Sequence, residues 1–266
     1  MTGLRDLRSI AAALAGISGA IALIGLSGVI IRSDFLISGG TMMAGMSPVT
    51  ATCLLCLAAA IIASTRERIA VAQALAAFAC GLAAAILATH AFLNGDRLSP
   101  IVLRAVADRD LPSARTSVAT ALAIFMIASS LFTSRSRRVV ADVSAATAVT
   151  ISVTALLGYV LSVSALYEIP IFSTMALNTA VSLFGLSVGA LSLPFVQTSE
   201  IERQNIWTRV LHTAPLMLVP IATCVLLVAS VNLNMVAGIA VVLLVMLAGF
   251  MPFCFMIWRD DGLSRI

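Results

Sequence analysis

Charge is the scarcest property of this sequence, which has no lysine and only 11% charged residues over its 266 positions. A water-soluble domain carries about 25% charged residues. Hydrophobic residues make up 61% of the chain, and the mean hydropathy is +1.09. This composition leaves no room for a soluble catalytic domain, and it predicts a protein that works inside a membrane.

The residues that chemistry requires are also scarce. The chain has two histidines, and no pair of acids, histidine cluster or nucleophile–base arrangement occurs in it. We therefore expect no enzyme activity, no metal site and no cofactor. The five cysteines lie in apolar stretches rather than in loops where an oxidising compartment could pair them, so no disulfide framework is implied. Cys53 and Cys56 share a helix face, but free cysteine is a common small apolar residue.

Eight long apolar stretches account for nearly the whole chain. Each is close to the roughly 20 residues that cross a bilayer, and an unpaired backbone is too costly in lipid for these stretches to be anything but helices. We predict an all-α, polytopic membrane protein that forms a single integral membrane domain over residues 1–266. The predicted spans are 9–31, 47–64, 70–92, 116–133, 140–163, 174–195, 211–231 and 233–257. The first is too long for a signal peptide and is predicted to be retained.

The arginines predict the orientation of the spans. If the N-terminus is cytoplasmic, eleven of the sixteen cationic residues fall on the cytoplasmic side and five on the other. An excess of positive charge marks the cytoplasmic side, so the chain is predicted to lie in a bacterial cytoplasmic (inner) membrane with both termini in the cytoplasm. The loop 93–115 carries mixed charge rather than a basic patch, which argues against nucleic-acid binding.

A repeated pattern opens three of the spans. A Thr-Ala or Ala-Thr-Ala step recurs at Thr50, Thr120 and Thr179, with spacings of 70 and 59 residues. One helical hairpin fits into each spacing, and this predicts three parallel hairpin units, 9–64, 70–133 and 140–195. A different hairpin, 211–257, follows them.

Polar residues cluster at the outer ends of these repeated helices. Ser47, Thr50, Asn178 and Thr179 are able to cap first-turn amides or to bond to a neighbouring helix. The alternative is that these ends converge on a shallow ligand pocket. Asn178 and either Tyr159 or Tyr167 would then be its polar contacts.

The remaining polar candidates each have a structural and a functional interpretation. His90 and His212 lie at opposite membrane faces, and each is either an interfacial or helix-bonded histidine or an axial ligand to haem or chlorin. Asp142 is the one carboxylate close to lying within a span, and Arg138 one turn earlier is predicted to pair with it at the interface.

Small residues recur four positions apart on several spans. Gly185 and Gly189 have the GxxxG spacing, and Gly16 with Ala20 and Gly81 with Ala85 have its small-residue variant. We expect these faces to pack helices together within the bundle, with a homo-oligomer as the alternative.

Residues 156–194 carry a longer motif. A Gly-Tyr helix end leads to a Tyr-containing loop and then to a Met-x-x-Asn-Thr-Ala helix start, formed by Gly158, Tyr159, Tyr167, Met175, Asn178, Thr179 and Ala180. This motif resembles the membrane-embedded N-terminal module of bacterial multi-pass sensor proteins, the kind followed by PAS, histidine-kinase or diguanylate-cyclase domains. Pro215 and Pro220 resemble prolines of the same family. Val49 stands where the first repeat would need a polar residue, and the second copy is degenerate.

The resemblance implies a sensory or regulatory membrane module. The sequence holds no phosphoacceptor-histidine region, ATP-binding box or cyclase signature, so we expect it to signal through a separate membrane or cytoplasmic protein. The first alternative is a structural or accessory subunit of a larger membrane complex. The second is a small-solute transporter, although the near absence of charge and the parallel repeats argue against it.

Overall fold

The computed structural model describes residues 2–38, 45–93, 97–107, 115–134, 138–160 and 175–196. All of these belong to the first of two units into which the chain divides, residues 1–203. The second unit, 204–266, lies outside the described residues. It contains the last two predicted spans and His212, and Tyr167 is likewise outside the described ranges.

Helix is the regular secondary structure throughout the described ranges, so the all-α prediction is confirmed there. In chain order the helices are α1 (Thr2–Ile31), α2 (Asp34–Ser38), α3 (Pro48–Thr65), α4 (Ile69–Leu93), α5 (Leu98–Ala107), α6 (Val118–Thr133), α7 (Arg138–Val160) and α8 (Leu177–Val196).

Four helical segments are long and apolar enough to cross a membrane: Arg8–Ile31, Pro48–Thr65, Ile69–Leu93 and Val140–Tyr159. Two further apolar helices, Val118–Thr133 and Leu177–Leu193, are shorter. At 1.5 Å per residue the 16 residues of α6 rise about 24 Å, less than the hydrocarbon core of about 30 Å. α6 is short because the helix begins only after Ser117, and residues 115–117 approach it in a non-helical conformation. The eight-span count stays a prediction.

Six long helices form a closed ring of neighbours in the order α1, α3, α4, α6, α7 and α8, with α8 packed back against α1. Three of them, α3, α6 and α8, also contact one another, and we call these the inner helices. The other three, α1, α4 and α7, are the peripheral helices. The inner helices supply most of the largest fully buried side chains: Leu54, Leu57, Ile61, Ile124, Ile127, Leu183 and Leu186. The core therefore lies chiefly on the inner helices.

A tight turn joins α3 to α4 and makes them neighbours. The N–H of Arg68 donates to the Ala63 carbonyl and the N–H of Glu67 donates to the Ser64 carbonyl, at 2.9 and 3.1 Å. Glu67 has a φ of 63°, so the turn is a Schellman motif with a left-handed residue after the helix cap. The Glu67 carboxylate also lies 3.2 Å from the Arg8 guanidinium. The start of α1 and the α3–α4 turn therefore lie at the same end of the bundle.

The short helices α2 and α5 lie between predicted spans, in segments where the sequence predicts loops. α5 packs against α3 and α1, with Leu98 and Val102 half-buried against the core and Arg104 exposed. Leu98 and Val102 are four residues apart and so share one helix face, but a ten-residue segment is too short for this pattern to stand out. Part of the mixed-charge loop is thus an amphipathic helix.

Glycine lets α8 approach α1 closely. A Cβ atom added at Gly185 would lie 2.5 Å from Ser18 Oγ, and one added at Gly189 would lie 3.5 Å from the Ala11 carbonyl oxygen. This contact between α1 and α8 closes the ring.

The other two small-residue faces point away from the bundle. A Cβ atom added at Gly16 or Gly81 meets no atom within 4 Å, and Ala20 and Ala85 are exposed. Among the described helices, these pairs therefore do not pack helices together, contrary to expectation. Peripheral helices bury a different stripe of alanines, Ala11, Ala15 and Ala22 in α1 and Ala72, Ala76, Ala79 and Ala83 in α4. With so many small residues on each helix, spacing alone does not tell the buried face from the outward one.

We predict that Gly185→Leu destabilises the bundle by about 1–3 kcal/mol, the usual cost of overpacking, because the new side chain collides with Ser18. Gly16→Leu is the matched control, since it adds the same atoms on α1 where no neighbour is present. The measurement is the thermal unfolding midpoint of the purified protein in detergent. Equal midpoints for the two variants would contradict the α1–α8 contact.

Candidate functional site

Two of the three inner helices begin with the same serine cap. Ser47 and Ser117 have extended backbones, with φ, ψ of −75°, 149° and −72°, 157°. Each hydroxyl accepts the backbone N–H three residues later, Thr50 in α3 and Thr120 in α6, at 3.1 Å. This capping satisfies a first-turn N–H that has no partner within the helix. α8 has Ala176 at the corresponding position and therefore lacks such a side-chain cap.

One threonine joins the starts of α3 and α6. The Thr116 hydroxyl lies 2.8 Å from the Ser47 hydroxyl and 2.9 Å from the Thr50 hydroxyl, and the last two are 2.9 Å apart. All three side chains are at most 2% exposed. We call Ser47, Thr50 and Thr116 the hydroxyl junction. It is a closed triangle of hydrogen bonds between segments that are 66–69 residues apart in the chain.

Two peripheral helices bind the inner helices near the same positions. Nε2 of His90, near the end of α4, lies 2.9 Å from the Thr116 carbonyl oxygen. A carbonyl oxygen only accepts, so this Nε2 carries a proton and donates it. The Tyr159 hydroxyl, near the end of α7, donates to the Met175 carbonyl at 2.5 Å. In both cases the acceptor is the residue directly before the cap position, so each peripheral helix is tied to the inner helix that follows it.

The segment before α3, the first inner helix, is held by contacts of Met46 with α2 and α1. The N–H of Met46 donates to the Ile37 carbonyl of α2 at 3.0 Å. The Met46 side chain packs on α1, where a Cβ atom added at Gly25 would lie 2.8 Å from its sulfur. The residues before all three inner helices are therefore fixed by neighbouring elements, and Met46, Thr116 and Met175 are all at most 2% exposed.

The polar groups at this site are bonded to one another across helix boundaries. Nε2 of His90 already donates to a carbonyl, so this nitrogen is not available to take a proton from a junction hydroxyl or to bind a haem iron. Within the described ranges, no group of three histidine, cysteine, aspartate or glutamate side chains is placed to hold a metal ion. Cys53 is buried in α3 and Cys56 is half-buried.

The structure brings together only some of the predicted site residues. Thr50 belongs to the junction, and Tyr159 contacts the segment before α8. Thr179 is buried in the first turn of α8, at the position that Thr50 occupies in α3, and Asn178 beside it is half-buried. Asp142 is half-buried in the second turn of α7. Its predicted pairing with Arg138 stays a prediction, because the side chain of Arg138 lies outside the described part of the chain.

Sequence reasoning missed the two residues that complete the site, Thr116 and Ser117. A signal for Ser117 exists, because Ser-x-x-Thr spans Ser47 to Thr50 and recurs from Ser117 to Thr120. Thr116 has no such signal. Its role depends on how closely two helix starts approach one another in space.

Comparison with known proteins identifies no relative, because no family model, no curated protein and no solved structure matches this chain.

We predict that Thr116→Val, which replaces the hydroxyl by a methyl group of similar size, lowers the free energy of unfolding by about 1–2 kcal/mol. It leaves the buried hydroxyls of Ser47 and Thr50 without their shared partner. Thr52→Val is the matched control, since the Thr52 hydroxyl bonds only to the Pro48 carbonyl of its own helix.

The measurement is thermal unfolding of the two purified variants beside the parent protein. A double-mutant cycle between Thr116→Val and Ser47→Ala should also give a coupling energy of several tenths of a kcal/mol or more. A coupling energy of zero would show that the triangle contributes nothing.

Proposed function

We propose that this chain is a non-catalytic integral membrane module of sensory or regulatory type, which acts by contact with a separate partner protein. The single observation that carries this proposal is the hydroxyl junction together with the His90 and Tyr159 contacts. These bonds join the ends of different helices at one level of the bundle. A ligand or partner that alters them would change how the inner helices are positioned.

The physical basis is the scarcity of directional contacts elsewhere. Most other side-chain hydrogen bonds of the described residues are made to a carbonyl three or four positions back in the same helix, as at Thr65, Thr150 and Ser152. A hydrogen bond weakens steeply when its distance or angle departs from the preferred geometry, so these contacts are sensitive to small displacements of the helices. Helix displacements of about 1–2 Å are typical of switching proteins, and helices transmit them along their length. A change at the junction would thus reach the opposite ends of α3 and α6.

The proposal includes three parallel hairpin units, α1–α3, α4–α6 and α7–α8, followed by the predicted hairpin 211–257, for eight spans in all. Burial supports it, because corresponding positions of the three inner helices are fully buried. Four residues after Thr50, Thr120 and Thr179 these positions are Leu54, Ile124 and Leu183, and seven residues after they are Leu57, Ile127 and Leu186. The first regular helix bond also falls at the same position in each inner helix. The N–H groups of Ala51, Ala121 and Ala180 donate to the backbone carbonyl four residues earlier, at 2.9–3.0 Å.

We further propose that both termini are cytoplasmic in a bacterial inner membrane, which puts the hydroxyl junction near the outer face. The arginine count supports this orientation. His90 lies near the end of α4, whereas Glu67, which pairs with Arg8, lies in the turn before its start. The hydroxyl junction lies at one end of α4, and the pair of Arg8 and Glu67 lies at the other.

The first alternative is an accessory subunit of a larger membrane complex. A specific observation favours it, namely the outward small-residue faces at Gly16 and Ala20 in α1 and at Gly81 and Ala85 in α4. Small residues let a second helix approach closely in lipid, so these faces suit helices of another protein or of a second copy. Transport is less favoured, because large apolar side chains fill the centre of the described bundle.

The test is purification of the tagged protein from its native membranes in mild detergent, with mass spectrometry of the proteins that remain bound. We expect a kinase, cyclase or other regulator to co-purify, and we expect Thr116→Val to lower its recovery relative to Thr52→Val. The reason is that only the first variant breaks the junction.

Each other outcome has a defined meaning. Stoichiometric recovery within a large membrane assembly, unaffected by Thr116→Val, would support the accessory role instead. Recovery of the chain alone would contradict both the sensory and the accessory role, and would favour solute binding or transport.

A further inference from the structure

The start of α8 lacks an oxygen atom that the other two inner helices have. In α3 the Ser47 hydroxyl accepts the N–H of Thr50 and bonds to the Thr50 hydroxyl, at 3.1 and 2.9 Å. In α6 Ser117 makes the same two bonds to Thr120, at the same two distances. Position 176 of α8 is alanine, so Thr179 is unable to make either bond to it. A first-turn N–H and a threonine hydroxyl of α8 are thus left without the serine oxygen that satisfies them in α3 and α6.

A second polar group of α8 is buried without a partner. Ser182 is 0% exposed, and its Oγ atom has no hydrogen-bond partner among the described residues. Further along the same helix, the Ser187 and Ser192 hydroxyls each donate to a carbonyl three residues back, at 2.9 and 2.7 Å. A buried hydroxyl that bonds to nothing is destabilising, so Ser182 calls for a partner that these helices do not supply.

The Ser182 hydroxyl and the uncapped helix start belong to one site. Ser182 and Thr179 are three residues apart, so they lie on the same face of α8, one turn from each other. Side chains of an α-helix lean toward its N-terminus, which directs the Ser182 hydroxyl over the first turn, where Thr179 lies. Both side chains are at most 2% exposed, and Asn178 beside them is half-buried. The start of α8 is therefore a buried polar site with unused hydrogen-bonding groups.

The groups at this site favour a negatively charged oxygen. First-turn N–H groups only donate, and together they carry the partial positive charge of a helix N-terminus. The Thr179 and Ser182 hydroxyls are also able to donate. Residues 175–196 contain no charged side chain, so no acidic group of this segment competes for the donors. In membrane proteins, helix N-termini bind the carboxylate groups of substrates in this way.

The burial of this segment limits the size of the ligand. Serine and alanine differ by one oxygen atom, so the part of a ligand that replaces the missing serine hydroxyl is about that size. Met175, Ala176 and Thr179 are at most 2% exposed, whereas Leu177 and Asn178 are half-buried. A ligand therefore reaches the buried donors with a small polar end.

We propose that the start of α8 binds a small carboxylate, one oxygen of which caps the Thr179 N–H as Ser47 and Ser117 cap α3 and α6. The Thr179 and Ser182 hydroxyls donate to the same carboxylate and hold it in place. The site names the class of ligand for the sensory role proposed above, and it rests on that role only for the consequence of binding. Binding is measured on the purified chain without a partner protein, so its failure is distinguishable from a failure of the sensory role.

The test uses the full chain, purified in mild detergent at neutral pH, with sodium acetate as the probe. A ligand that binds the folded state raises the unfolding midpoint as its concentration rises, and the concentration dependence gives its Kd. Sodium chloride at equal ionic strength controls for salt, and acetamide controls for the charge of the carboxylate. We expect acetate to raise the midpoint in a saturable manner, and chloride and acetamide to raise it less.

Ala176→Ser supplies the missing oxygen from the protein itself. It should raise the unfolding midpoint in the absence of acetate, because a serine at this position caps the helix. It should also lower the affinity for acetate about tenfold, or about 1.4 kcal/mol, because its hydroxyl occupies the place of the ligand. Ala121→Ser is the matched control, since it adds a buried hydroxyl to α6, whose start already has its serine cap.

Ser182→Ala removes the unpartnered hydroxyl and breaks no bond to a described residue. The variant should therefore fold as the parent protein does, and its affinity for acetate should fall about tenfold. Ser187→Ala is the matched control, because it removes a buried hydroxyl of the same helix that is bonded to the Phe184 carbonyl. It should bind acetate as the parent does.

Three results would overturn the proposal. A midpoint shift with acetate that is no larger than the shift with chloride would show that no carboxylate binds. An equal shift with acetamide would show that the site takes a neutral oxygen instead. An acetate response that is unchanged in Ser182→Ala would place the binding elsewhere, and this result stands even if Ala176→Ser does not yield folded protein.

Discussion

The structure depends on one constraint, that a helix beginning inside an apolar bundle must find partners for its first backbone N–H groups. Burial inside the protein keeps water from satisfying them, and each unsatisfied group costs several kcal/mol. All three inner helices begin at residues that are almost fully buried. In α3 and α6 the serine caps accept one of these N–H groups, that of Thr50 or Thr120. The buried serine hydroxyls then need hydrogen-bond acceptors of their own. Thr116 supplies one by bonding to Ser47 and Thr50, so helix capping and helix–helix contact become the same set of bonds.

The third inner helix begins without such a cap, because Ala176 offers no hydroxyl. Its first bond within the helix, from the N–H of Ala180 to the Ala176 carbonyl, is the same as in the other two helices. The segment before α8 is held through its backbone, by the bond from the Tyr159 hydroxyl to the Met175 carbonyl. This bond helps to fix where α8 begins, but it satisfies a carbonyl rather than a first-turn N–H. The starts of the three inner helices thus differ in their chemistry.

The sequence predicted the long helices well because each is a long apolar stretch bounded by polar residues. The predicted spans 47–64 and 70–92 correspond to Pro48–Thr65 and Ile69–Leu93, within one residue at each end. It predicted polar contacts at Ser47 and Thr50, since a hydroxyl in the first helical turn has few other uses. It missed Thr116 and the short helix α5, because both depend on contacts between segments that are distant in the chain. It also predicted close helix packing at Gly16 and Gly81, where no described helix approaches, since spacing predicts close approach but does not name the approaching element.

Thr116 contributes two chemically separate groups to the site, and they belong to different parts of the residue. Its side chain bonds to Ser47 and Thr50 at the start of α3, whereas its main-chain carbonyl accepts from His90 at the end of α4. Every amino acid supplies that carbonyl, so a substitution at position 116 would leave the acceptor for His90 in place while removing the side-chain bonds to α3. The contact between α3 and α6 is therefore separable, at this one residue, from the contact between α4 and α6.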